Sequence, residues 1–200
     1  MNFKKKNNGL NKDYWDNKYK EKNTGWDIGY ISTPLKEYFN QLTNKNIKIL
    51  VPGAGNSYEA EYLYNKDFKN IDVIDIALQP LKNLKKRTPF FPKKNLIQID
   101  FFNYTKKYDL IVEQTFFCSL HPDARVKYVT KMATLLETKG KLVGLLFDFK
   151  LTEEGPPFGG SLNEYLQLFS EYFNIITIDR CYNSIKPRID KELFFIFEKK

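Results

Sequence analysis

The chain has 200 residues, 42% hydrophobic and 16% aromatic, enough for one domain with a full core and short for two. No apolar run approaches the length of a membrane span, and Met1-Asn2-Phe3-Lys4-Lys5-Lys6 leads into polar sequence, so a soluble cytoplasmic protein is expected. The net charge of +8 is almost all scattered lysine, with Arg87, Arg125, Arg180 and Arg188 the only arginines; base reading leans on arginine forks, which argues against specific nucleic-acid binding.

After a polar, aromatic N-terminal region, apolar runs and helical patterns alternate. "STPLKEYFNQL" predicts a helix capped by Ser32 or Thr33 with Pro34 in its first turn, and Leu35, Tyr38, Phe39 and Leu42 at helical spacing. "IKILV" reads as a buried strand, followed by a helix from about Ser57. "IDVIDI" is a second strand, Pro80 to Arg87 a short helix, "NLIQID" a third strand and "YDLIVEQ" a fourth. A helix is predicted from Pro122 to Thr138, with Val126, Val129, Met132, Ala133 and Leu136 on one face, then a fifth strand, "KLVGLLF". In "SLNEYLQLFSEYF", Ser161 and Glu164 suggest a capping box, and Leu162, Tyr165, Leu166, Phe169 and Phe173 an apolar stripe. "NIITID" and "ELFFIFE" close the chain as two strands joined by a loop, which pairs them antiparallel.

Apolar strands separated by helices imply an α/β doubly wound, mostly parallel sheet of about seven strands with an antiparallel C-terminal strand. Ligands bind such sheets at the carboxyl ends of the strands, at the switch point. The densest lysine runs fit this frame as a loose tail (Lys4-Lys5-Lys6) and a solvated helix face (Lys82 to Arg87), and a basic cleft for anionic substrates stays open.

Cys118 and Cys181, the only cysteines, make neither a disulfide framework nor a metal cluster and read as reduced, mostly buried thiols. His121 is the sole histidine, which excludes a histidine dyad or a histidine-rich metal site. The chemistry-bearing signal is Pro52-Gly53-Ala54-Gly55-Asn56, after the first strand, where glycines permit close approach of a ligand to the backbone. Asp75, twenty residues after Gly55, ends the second strand, where a carboxylate can accept from both hydroxyls of a ribose. A plain tight turn is the alternative.

The spacing alone does not separate a dinucleotide from S-adenosylmethionine. Tyr58 does: it stands where the dinucleotide pattern wants a third glycine beside the pyrophosphate. At the end of the third strand, Asp100-Phe101-Phe102 can bond an adenine amino group and cover the ring, or be a strand-end acid with two core phenylalanines. Trp15 and Trp26, the only tryptophans, lie outside the sheet and either plug the rim of the core or form an aromatic flap over a sulfonium.

With these residues placed, the chain resembles the class I S-adenosylmethionine-dependent methyltransferases, and more closely the thiopurine S-methyltransferase family with its thiol and halide methyltransferase branch. The likeness spans residues 12–199 and rests on "DYWDNKY", "TGWDIG", "LVPGAG", "VIDIA", "DFF", "YDLIVEQTFFCSLHPDAR", "GPPFGG" and "SIKPRIDKELFFIF". It implies a lid over residues 1–30 and a methyltransferase domain over 31–200. Trp15, Tyr19 and Trp26 would reach the cofactor from the lid, Tyr19 standing where relatives often have tryptophan. Gly53, beside Gly55, would lie under the methionine part, Asp75 on the ribose, and Asp100 and Phe101 around the adenine. Gln114 would stand where plant relatives carry tyrosine.

On the acceptor side the resemblance implies Arg125, which otherwise pairs with Asp123 or solvent, and a pocket walled by Pro156, Pro157 and Phe158; Tyr14, His121 and Arg188 are weaker candidates. Glu113 is a candidate for the cofactor's amino group. Glu113-Gln114-Thr115-Phe116 also lacks the Asn/Asp-Pro-Pro-aromatic stretch of enzymes that methylate the exocyclic amines of bases. The expected activity is methyl transfer from S-adenosyl-L-methionine, yielding S-adenosyl-L-homocysteine, to a small soft nucleophile such as a thiol, thiopurine, sulfide, halide or metalloid. A monomer without metal, membrane or specific nucleic-acid partner is expected. An oxygen or nitrogen acceptor, or a non-catalytic nucleoside-binding protein, is the alternative.

Overall fold

The computed structural model describes residues 9–200, so the Lys4-Lys5-Lys6 tail lies outside the described residues. The elements are α1 (Lys12–Lys20), α2 (Thr33–Asn40), β1 (Ile49–Pro52), α3 (Tyr58–Asn65), β2 (Ile71–Asp75), α4 (Leu78–Arg87), β3 (Leu96–Gln98), β4 (Tyr108–Gln114), α5 (Arg125–Leu135), β5 (Leu136–Phe147), α6 (Leu162–Phe169), β6 (Phe173–Arg180) and β7 (Glu192–Lys199). Seven strands form one sheet in the order β3-β2-β1-β4-β5-β7-β6. The first five are parallel, and β7 runs antiparallel to both β5 and β6. The sequence predicts this architecture.

Alternation along the strands builds a core on each face, because successive side chains point to opposite sides of a sheet. Ile49, Val51, Leu110 and Val112 join Leu35 and Phe39 of α2, Leu63 of α3 and Leu81 and Leu84 of α4. Leu50, Ile111, Leu142 and Leu146 join Tyr128 and Met132 of α5 and Tyr165 and Phe169 of α6 on the other face. Between β1–β2 and β1–β4 the direction of winding reverses, and the carboxyl ends of these strands open into a cleft.

Four local readings are corrected. Ser32 precedes α2 as expected, yet its side chain makes no cap bond and reaches Gln114 of β4 instead. Helix α5 stops at Leu135, short of Thr138, because Leu136 already pairs with Tyr108 in the sheet; Val126 lies at the edge of the buried arc and is 66% exposed. Helix α6 stops at Phe169, leaving Leu162 exposed and Phe173 as the first residue of β6. Ser161 does accept from the Glu164 N–H, but the Glu164 side chain pairs with Arg125 and not with the backbone of Ser161, so only half of the box forms.

Both cysteines are buried and unbridged. Among the described residues no helix is long and apolar enough to cross a membrane, and no three His, Cys, Asp or Glu side chains are grouped to hold a metal ion. Of the Lys82 to Arg87 run, Lys82 and Lys86 are exposed as a solvated face predicts. Arg87 instead turns inward to Glu61 and lies 4.4 Å over the Tyr58 ring.

Candidate functional site

The cleft has a volume of about 640 Å³ and is walled by the ends of β1, β2 and β4, the N-terminal segment, and the loops after β5 and β6. Its floor is the glycine turn. Gly53 (φ +54°) and Gly55 (φ +51°) are both left-handed, a conformation that costs L side chains about 1–2 kcal/mol. A Cβ on Gly53 would run into the Phe116 ring, and one on Gly55 would stand 3.2 Å from the Tyr19 hydroxyl oxygen. The Phe116 contact follows a second special position, Thr115, left-handed at φ +58° without being glycine.

Asp75 ends β2 and is 8% exposed at the cleft. One carboxylate oxygen accepts from the Gly55 N–H at 3.0 Å and the other from the Ala77 N–H at 2.8 Å. Burial pushes its carboxyl up to about 6, against the pull of those two N–H groups. Two main-chain donors thus fix the carboxylate without using all of its acceptor capacity.

Asp100 is exposed at the rim and caps the turn after β3, its Oδ1 accepting from the Phe102 N–H at 2.8 Å. Phe101 is buried, edge-on to Phe102 and Phe116 at 5.2 and 5.1 Å, so it forms part of the wall. Gln114 ends β4; its Oε1 accepts from the Ser32 hydroxyl at 3.1 Å, while its Nε2 is buried with no hydrogen-bond partner among the described residues.

The N-terminal segment crosses the mouth as an aromatic strap. Trp26 stands edge-on between Trp15 (5.5 Å) and Tyr19 (5.9 Å), and Tyr14 is edge-on to Trp15 (5.0 Å). Burial, with Asp75 nearby, pushes the Tyr19 hydroxyl well above its ordinary range, so it stays neutral. Three ties hold the strap. Asn56 donates to Asp27, Arg188 Nη2 donates to the Trp26 carbonyl at 2.8 Å, and the Leu78 N–H donates to Asp16 at 3.3 Å.

The acceptor-side expectations divide. Pro156 and Pro157 line the cleft, with Cys118, Phe147, Phe149 and Arg188 nearby on its wall. Phe158 does not: it is buried behind the wall, edge-on to His121 at 5.6 Å. Arg125 is also turned away, neither solvated nor paired with Asp123. It is 4% exposed, pairs with Glu164, donates to the Gly159 carbonyl at 2.6 Å and lies 4.8 Å over the Phe117 ring. It ties α5, α6 and the proline loop together.

Glu113 is fully buried, accepting from Phe116 N–H (2.8 Å), Phe117 N–H (3.0 Å) and the Tyr128 hydroxyl, so it caps the turn after β4 and does not face the cleft where an amino group would lie. One cleft residue escapes sequence reasoning: Glu59, in the first turn of α3, is 6% exposed and faces the cavity. In "YEAEYLY" nothing but a helical wheel distinguishes it from Glu61, which pairs with Arg87.

The family model for thiopurine S-methyltransferase matches residues 10–199. A probable thiol methyltransferase of Arabidopsis thaliana is 28% identical over 156 residues, covering 76% of this chain and 69% of that protein. A thiopurine S-methyltransferase of Vibrio parahaemolyticus is 24% identical over 198 residues, covering 90% and 91%. Among solved structures, the Burkholderia thailandensis 1,6-didemethyltoxoflavin-N1-methyltransferase, with bound S-adenosylhomocysteine, shares the fold at a TM-score of 0.74 and 15% identity, covering 94% of this chain and 87% of that one. With the match running through the strap, the glycine turn and the proline loop alike, the chain belongs to the thiopurine S-methyltransferase family.

Proposed function

We propose that this chain is an S-adenosylmethionine-dependent methyltransferase that methylates a small soft nucleophile such as a thiol, thiopurine, sulfide, halide or metalloid. The observation that carries the reading is Asp75, fixed by the Gly55 and Ala77 N–H groups and open to the cleft beside a turn that a single Cβ would fill. The Gln114 Nε2 adds a buried donor with no partner among the described residues. The residues present thus fit an adenosyl group carrying an amino-acid tail.

When bound, the cofactor supplies an electrophilic methyl carbon on a cationic sulfur. Asp75 would accept from the ribose hydroxyls, Asp100 would accept from the adenine amino group at the rim, Phe101 would wall the base, and Gln114 would donate to the tail. Gly53 and Gly55 let the backbone come close. Trp15, Tyr19 and Trp26 close the mouth, exclude water and offer aromatic faces to a cation.

Residues 1–30, described from residue 9 on, act on this reading as the lid, and residues 31–200 as the methyltransferase domain. Pro156 and Pro157 wall the acceptor pocket, with Tyr14 on the strap and Arg188 beside it. A thiol acceptor reacts as its thiolate, which forms in part near neutral pH, so alignment and dryness do most of the catalysis. The protein's own thiol in the cleft is disarmed: burial and nearby Glu113 push Cys118 far above its usual range. A cytoplasmic monomer is part of this reading, and two unbridged thiols suit a reducing compartment.

Calorimetry with S-adenosylmethionine and S-adenosylhomocysteine, followed by labelled methyl transfer to thiol, halide, oxygen and nitrogen acceptors, tests the reading. Asp75→Ala is expected to weaken S-adenosylhomocysteine binding by about 1–3 kcal/mol, the cost of losing hydrogen bonds to a charged group. A folded variant with unchanged affinity removes the ribose role.

A further inference from the structure

Among the described residues four buried carboxyls bear on the cleft or its wall. Glu113 is closed by two N–H groups and Tyr128, and Glu192 by Ser184 (2.8 Å) and Arg188, while Asp75, held by two N–H groups, keeps acceptor capacity for the proposed ribose. Glu59 has no such assignment. It is more than nine-tenths buried and faces the cavity, and no side chain of a described residue pairs with it. Its charged form is helped by the main-chain N–H groups of Ser32 and of Glu59 itself and by the field of Arg188. Arg188 is spent elsewhere, on the Trp26 carbonyl and Glu192. A buried carboxylate without a cation is expensive, and here burial raises the carboxyl to about 7.

Ser32 links this acid to a second group short of partners. Its N–H lies toward Glu59, and its hydroxyl holds Gln114 Oε1, which leaves the Gln114 amide N–H groups free. On either side of one serine there is thus an acceptor-only carboxylate and a donor-only amide nitrogen. The end of an amino acid presents the inverse pair, an ammonium and a carboxylate on a single carbon. Glu59 also sits in the first turn of α3, the helix that follows the glycine turn whose Gly55 N–H is bound to Asp75, and lines the same cleft.

We propose that Glu59 binds the α-ammonium of the cofactor's amino-acid end, completing with Gln114 a clamp for a zwitterion. This rests on the S-adenosylmethionine reading above and assigns the end of the molecule that the adenosine contacts leave unassigned. Glu59 is then what distinguishes an adenosyl amino acid from a bare adenosine thioether.

Calorimetry tests it with three probes on wild type and Glu59→Gln: S-adenosylhomocysteine, its analogue with a hydroxyl in place of the α-amino group, and 5′-methylthioadenosine. Wild type should bind S-adenosylhomocysteine at least about tenfold more tightly than the hydroxyl analogue. Glu59→Gln should lose about 10–100-fold for S-adenosylhomocysteine and about twofold or less for the other two, as expected for one charged hydrogen-bonded pair. Equal losses for all three probes, or an unchanged S-adenosylhomocysteine affinity, would overturn the assignment. So would a wild type that binds S-adenosylhomocysteine and the hydroxyl analogue equally, a comparison that needs no folded variant. A wild type that binds none of the three sinks the cofactor reading itself, and the clamp with it.

Discussion

Strand β2 carries one aspartate at each end, and the two live differently. Asp72, at the amino end, accepts from the Tyr108 hydroxyl at 2.6 Å, the Tyr104 hydroxyl at 3.2 Å and Lys106 at 3.2 Å. Asp75, at the carboxyl end, is held only by main-chain N–H groups and looks into a cavity. Glu113 and Glu59 repeat the contrast: burial raises both to about 7, yet one is closed by its own protein and the other is not. Where strands wind away from each other their loops diverge, and groups there lack neighbours to satisfy them. The two ends teach that the site is marked by polar groups the fold holds in place and leaves short of partners.

The strongest way to break this contrast is to fill the cleft floor. Gly53→Val puts a branched side chain at φ +54° against Phe116, at a cost of about 2–4 kcal/mol from backbone strain and overpacking. Urea unfolding should show that loss and calorimetry should show no S-adenosylhomocysteine binding; a stable, fully binding variant would mean the turn is roomier than described.

Glu113→Gln probes the closed acid through pH. The folded carboxyl sits near 7, above its ordinary value of 4.5, so the folded chain holds that proton more tightly than the unfolded chain does. This contribution to stability is complete below about 4.5 and is lost as pH rises to about 7. The stability of wild type relative to Glu113→Gln should therefore fall by roughly 3 kcal/mol across that window and level off above it. Parallel pH profiles in urea melts would contradict the assignment.

The smallest effect belongs to the far end. Tyr108→Phe removes a donor to Asp72 and should cost about 1 kcal/mol of stability, with S-adenosylhomocysteine affinity kept within about twofold. A large affinity loss there would erase the distinction between the two ends.

Much of this was legible in the sequence, because it is carried by local pattern. Apolar runs, helical spacing and the two-glycine turn locate the strands, the helices and Asp75, since each depends on residues close together in the chain. What escaped depends on distant partners. Arg125 looks like a free helix-start arginine until Glu164 and Gly159 arrive from across the fold, and the same Glu164 looks like half of a capping box. Ser32 reads as a cap, and its use as a link to Gln114 needs a partner 82 positions along the chain to fold against it. Glu59 is invisible for a similar reason: its burial is imposed by surroundings that its neighbours in sequence do not supply.

The antiparallel insertion of β7 carries a practical lesson. Because β7 runs against β5, pairing Glu198 with Lys141, the chain reaches Lys199 and Lys200 at the opposite pole of the sheet from the strap. A purification handle, a fluorophore or a surface tether joined there pulls on the amino ends of the strands and leaves the mouth unobstructed. The same cargo joined ahead of α1 would hang directly from the aromatic cover, so one attachment point suits assays of turnover and the other would report on gating.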